Sequence, residues 1–243
     1  MKKFSPGVWP TVMTIPAVVI LLSLSIWQLN RYAWKVELID HLTERLSEAA
    51  VPLPPGDLVV ADWEHRRVSI EGQFDHEKEI HLFSHAKKGR KGFQIITPFV
   101  RKDGGGMVLV NRGWVPEHKK EAASRPEGQL IGNLPLTGVV RKPWSKSYDF
   151  LPDNNPVSNV WLYGDLDQMA AHLKLETAPV FVELDDLEVP GIWPKGGQTR
   201  VTIPNNHLEY FFTWLGLAGT MLAIYGIYGV NRAKKQGADD KAV

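Results

Sequence analysis

Residues 8–29 read VWPTVMTIPAVVILLSLSIWQL, and residues 210–230 read YFFTWLGLAGTMLAIYGIYGV. Neither stretch holds a charged side chain, and together they decide the architecture. At about 1.5 Å per helical residue the first spans about 33 Å, enough for a hydrocarbon core of about 30 Å. Trp9 and Trp27 stand near its ends, where membrane interfaces collect tryptophan. Pro10 and Pro16 weaken its early turns, which a membrane helix tolerates. Lys2, Lys3 and the run Ser23-Leu24-Ser25 also fit a cleavable leader, but the apolar run is long for one and continues past the candidate cleavage point. In the second stretch Gly216 and Gly219 share a helix face, as do Gly226 and Gly229. Such small residues allow close approach to the first helix or to a partner.

Outside these stretches, charge in the short tails sets the orientation. Lys2 and Lys3 precede the first helix; Arg232, Lys234, Lys235 and Lys241 follow the second. Positive tails stay on the cytoplasmic side, while a large middle domain crosses regardless of its charge. Both termini therefore read as cytoplasmic and the middle as periplasmic. No Arg/Ser-rich leader precedes the first helix, which favours a bacterial inner membrane over a mitochondrial one. The expected division is a tail at 1–7, transmembrane helices at 8–29 and 207–230, an extramembrane domain at 30–206, and a second tail at 231–243.

The middle is long enough for one core. A net charge of +1 gives no basic face for nucleic acid. Absence of cysteine removes disulfides, thiolate zinc sites and iron–sulfur clusters, but not histidine-bound metal or haem. Residues 30–48 carry Tyr32, Val36, Ile39, Leu42 and Leu46 at helical spacing and extend the first helix. The proline-rich run at 51–56 reads as a stiff linker. Short runs rich in Val, Ile and aromatics follow at 66–74, 79–83, 93–100, 107–115, 134–141, 160–163, 180–184 and 199–203, with a hairpin turn at Asp103-Gly104-Gly105-Gly106 and one helix at 165–173. The fold class is a membrane protein with two transmembrane α-helices flanking a mainly antiparallel β (α+β) domain, a sandwich or partly closed barrel.

No nucleophile, carboxylate-pair or zinc signature stands out, so no enzyme is expected. His76, His81 and His85 lie among Asp75, Glu77 and Glu79; a metal site is one reading and solvated hairpin residues the other. Lys87, Lys88, Arg90 and Lys91 read as a solvated turn, with lipid headgroups or anionic propionates as a weaker alternative. The sharpest feature is residues 204–214. Asn206 and Glu209 fit a capping arrangement that starts the second helix at His207. His207, Tyr210, Phe211 and Trp214 then fall on one helical stripe. Two readings stand: interfacial anchoring, and an axial haem ligand above aromatic walls.

Three motifs resemble the Surfeit-locus/Shy family of cytochrome c oxidase assembly proteins. They are Trp27-Gln28-Leu29-Asn30-Arg31 with Trp34-Lys35, Val110-Asn111-Arg112-Gly113-Trp114-Val115-Pro116, and Asn205-Asn206-His207-Leu208-Glu209-Tyr210 through Thr213-Trp214. Their order and their placement against two membrane helices make the joint match specific, although Phe211 stands where the family more often has a small residue. The resemblance implies an inner-membrane assembly factor, acting as a chaperone in respiratory chain complex IV biogenesis. It implies transient binding of haem a, with His207 as iron ligand, and passage of haem from haem a synthase to the haem–copper oxidase catalytic subunit. Trp27, Gln28, Arg31, Arg112, Gly113 and Trp114 match family motifs of unclear role. For Arg112 a propionate contact and bracing of the sheet are both open, and Gly113 reads as a bulge or turn glycine. A haem-independent scaffold for oxidase subunits, and a metallochaperone using His76, His81 and His85, are the rival functions.

Overall fold

A computed structural model describes residues 4–56, 58–85, 90–187, 191–197 and 203–239. In chain order its elements are helix α1 (Val8–Ser47), strand β1 (Val51–Pro52), short helix α2 (Val60–Trp63), strands β2 (Arg67–Phe74), β3 (Ile80–His85), β4 (Lys91–Arg101), β5 (Met107–Pro116), β6 (Leu134–Arg141) and β7 (Val160–Trp161), helix α3 (Leu166–Leu173), strand β8 (Thr177–Leu184) and helix α4 (His207–Asp239). The chain forms a helical unit from its two ends and a β-rich unit, Leu42–Val201.

In the helical unit α1 and α4 run antiparallel in a register fixed by polar pairs. Arg232 Nη1 donates to Pro6 O at 2.8 Å, and the Thr11 and Tyr225 hydroxyls meet at 2.7 Å. Further along, Ser25 Oγ donates to Phe211 O at 3.2 Å, and His207 Nδ1 lies 2.7 Å from Gln28 Oε1. Numbers climb on one helix as they fall on the other. The buried stripe comprises Val18, Ser25 and Gln28 on α1 and Ala218 on α4. Gly216, Gly219 and Gly226 do not serve the contact, because a methyl group added at any of them would meet nothing. The polar register turns Ala218 inward instead, and only Gly229 meets a neighbour closely, the Phe4 ring. Outward, Val12, Met13, Ile15, Val19, Ile20, Ile26, Leu222, Ile224 and Ile227 are each more than half exposed. So continuous an apolar belt is foreign to a water-facing surface. Both helices are long and apolar enough to cross a membrane.

The β-rich unit is organised around a closed barrel. β2 pairs with β6, β6 with β8, β8 with β5, β5 with β4, and β4 returns to β2 through residues 99–101 against 72–74. The barrel therefore closes fully on five strands, neither a sandwich nor the partly closed barrel also expected. Pro98 sits where β4 exchanges β3 for β2 as its neighbour, so its missing N–H falls in the gap between them; its carbonyl accepts from Asp75 N at 2.9 Å. Antiparallel pairs dominate, but β5 and β8 are parallel. A parallel pair needs a crossover, and α3 lies in it, capped by Asp165 Oδ1 accepting from Gln168 N at 3.0 Å. Side chains of β8 consequently bury on both faces. Val180, Val182 and Leu184 join Val68, Ile70, Phe99, Val108, Val110, Leu136 and Val140 in one core. Phe181 and Leu109 point to the other face, against Leu166 and Met169 of α3.

One expectation needs revision here. The proline-rich stretch is no mere linker: Val51 and Pro52 add a parallel strand to β2, and Leu53, 1% exposed, enters the barrel core. Arg101 locks it there by donating to the Leu53 and Pro54 carbonyls. The expected strand at 199–203 falls on residues 199–202, which lie outside the described residues, and Ile203 is not in a strand. If Leu53 plugs the barrel, Leu53→Ala removes a buried side chain that nothing nearby replaces. The expected loss is about 2–5 kcal/mol, read as a lowered midpoint in thermal or denaturant unfolding of the detergent-solubilised protein.

Candidate functional site

The first turn of α4 begins at His207 because Pro204 ends the preceding segment and the Asn206 carbonyl accepts from the Glu209 and Tyr210 N–H groups at 3.1 and 3.3 Å. This places the His207 ring beside the buried side chain of Gln28. The contact is 2.7 Å between His207 Nδ1 and Gln28 Oε1; an amide oxygen accepts, so this pairing is a hydrogen bond in the Nδ1–H tautomer. In that tautomer Nε2 carries the lone pair, and no hydrogen bond to it is formed among the described residues. Trp27 presents an edge to the same ring, with centroids 6.4 Å apart and planes at 85°. Phe211 and Trp214 lie on the partly buried side of the stripe, whereas Tyr210 is 53% exposed and turns outward. The indole N–H of Trp214 is shielded and unpartnered among the described residues. Arg31 lies over the Trp34 ring at 4.0 Å.

A second constellation surrounds Arg112 and Gly113 in the barrel. Residues 112 and 113 together oppose Ile95, a β-bulge between the Gln94–Trp114 and Ile96–Asn111 pairs. Gly113 has φ of 115°, and a Cβ there would stand 2.0 Å from the Lys195 carbonyl oxygen, so both backbone angle and space demand glycine. Its N–H is held by Asn111 Oδ1 at 3.1 Å. Trp114 exchanges two backbone hydrogen bonds with Lys195 and packs edge-on to Trp193. The bulge turns Arg112 inward, where it is 3% exposed. Its guanidinium donates to Gly128 O, reaches His76 Nδ1 at 3.3 Å, lies 3.8 Å from Glu79 Oε2 and covers Phe74. These contacts make Arg112 a brace. Burial pushes its guanidinium down to about 10, still far above neutrality, so the charge persists.

Around it the histidine group is not solvated as expected. Glu79 and His81 are buried and bonded at 3.0 Å, and Arg125 donates to the same carboxylate from a side chain 2% exposed. Burial alone would raise the Glu79 carboxyl, but the hydrogen bonds from His81 and Arg125 outweigh it and hold the group below its ordinary range. His76 donates from Nε2 to Leu130 O at 2.7 Å and accepts from Arg112 at Nδ1. Burial lowers its proton affinity, and the nearby Arg112 adds to that. Among the described residues no three His, Asp or Glu side chains gather as a metal set. The side chain of His85 and residues 87 and 88 lie outside the described residues, while Arg90 stacks over Trp114. Arg125 carried no local signal in the sequence, since its partner Glu79 is 46 residues away. The alternation of Glu79 and His81 on one strand face was the available clue.

The family model for the SURF1 family matches residues 15–219, spanning both constellations and parts of both long helices. The chain belongs to the SURF1 family. Surfeit locus protein 1 of Homo sapiens is 38% identical over 211 residues, covering 80% of this chain and 69% of its own length. That of Takifugu rubripes is 38% identical over 221 residues, with 84% and 90% coverage. The SURF1-like protein of Drosophila melanogaster is 39% identical over 235 residues, with 89% and 75% coverage. These relatives are eukaryotic and lend no support to a bacterial origin.

Glu79 is the counter-charge for this SURF1-family core, and removing it strands two buried guanidinium groups. Glu79→Gln is expected to cost about 3–5 kcal/mol at neutral pH. The folded carboxyl titrates below its ordinary value of 4.5. Its contribution is therefore present above that value and is lost as pH falls through the lowered folded range. Unfolding curves from pH 7 to pH 3 should show parent and variant converging on the acid side.

Proposed function

We propose that this protein is a membrane-anchored assembly factor for cytochrome c oxidase that takes up haem a and delivers it to the catalytic subunit of the haem–copper oxidase. Membership of a family known for oxidase assembly supports the first half. The observation that carries the second is the His207 ring, whose Nδ1 is engaged by Gln28 Oε1, which leaves Nε2 as the nitrogen available to a metal.

Bound haem a supplies an iron that accepts an imidazole nitrogen and a broad flat macrocycle. His207 would hold the iron through Nε2. Phe211 and Trp214, with Tyr210 beside them, offer aromatic surface on the same stripe of α4. The donor set fits the group. His207 is only partly buried and stands at a helix start, so the chain grips from one side and does not enclose its cargo. A protein that must hand its ligand on needs that balance. No catalysis is required of it.

In this reading α1 and α4 span the inner membrane that houses the oxidase. The tails at 1–7 and 231–243 lie on its inner side and the barrel on its outer side. The barrel docks on the oxidase, and haem a synthase is the donor. The test is an optical spectrum of protein purified in detergent from cells that make haem a, beside His207→Ala. A stoichiometric haem signal in the parent, lost or strongly shifted in the variant, is expected. A parent free of haem, with oxidase subunits still co-purifying, overturns haem handling and leaves a scaffold.

A further inference from the structure

The α1 motif contains a polar residue that the membrane-anchor role does not need. Gln28 is 9% exposed on a helix whose neighbouring outward positions are apolar. Burying an amide away from water is costly unless it is paired. Its oxygen is paired with His207 Nδ1 at 2.7 Å, across 179 residues of chain. One helical turn deeper, Ser25 Oγ holds the Phe211 carbonyl at 3.2 Å and fixes the local register of the two helices. Trp27 packs against the ring in a T-shaped contact.

We infer that Gln28 is the positioning residue for His207: it holds the ring in the Nδ1–H tautomer and aims Nε2 away from α1 as the coordinating nitrogen. This role rests on the haem reading above. Histidine ligands elsewhere are oriented through their second nitrogen by a carboxylate, a carbonyl or water. A neutral amide orients the ring without the added electron donation of a carboxylate. That keeps the ligand firm in geometry and ordinary in strength, as a delivering protein requires.

The experiment uses the full chain in detergent. Nitrogen-15 spectra of histidine-labelled apo protein should show His207 protonated at Nδ1 in the parent and a tautomer mixture in Gln28→Leu, which keeps the side-chain volume. Haem a titration should give Gln28→Leu an affinity about ten- to a hundredfold weaker than the parent. Gln28→Glu, which restores an acceptor, should recover binding with a lower iron reduction potential. An Nε2–H tautomer in the parent overturns the inference outright. Equal affinity and spectra in parent and Gln28→Leu, with both signals lost in His207→Ala, overturn the role of Gln28 and leave the haem reading intact. A parent that binds no haem a overturns both.

Discussion

A polar group taken out of water has to bring its partner with it, and the Gln28–His207 pair shows how far that constraint reaches. In an apolar helix hairpin the backbone satisfies itself, so side-chain pairs alone distinguish one register from the next. Slipping α4 by one turn would part Thr11 from Tyr225, Ser25 from the Phe211 carbonyl and Gln28 from His207 together. Each bond is worth little by itself; buried polar contacts between membrane helices average about 0.6 kcal/mol. Their value lies in acting jointly on a single rigid-body coordinate. The same constraint operates in the barrel, where the Gly113 bulge turns Arg112 inward and obliges Glu79 to accompany it.

Features that depend on local periodicity were legible in the sequence. The two apolar runs, most strands, the hairpin at 103–106 and the helix at 165–173 follow from residue types within a few positions of one another. Features that depend on distant partners were not. The run at 51–56 looks like a linker because proline and glycine dominate it; only the position of Arg101 turns Leu53 into a plug. His81 and Glu79 look solvated beside their acidic neighbours, and only Arg125 accounts for their burial. Gly216 and Gly219 satisfy a helix-contact pattern, yet the polar register rotates them away. His207 was visible as a candidate from its motif, but Gln28 acquired a role only when the two helices were paired.

The barrel and the hairpin divide labour differently from a ligand-binding domain on a passive anchor. The barrel holds a parallel crossover, a bulge and a buried charge network. The chemistry proposed for the protein sits instead on its apolar helices.

That arrangement has a consequence in biosynthesis. Chain growth delivers Gln28 early and His207 only after the entire β-rich unit has been made. An interrupted translation product, however well its barrel folds, carries Gln28 without His207. The Gln28–His207 pair therefore closes only after the whole β-rich unit has been made.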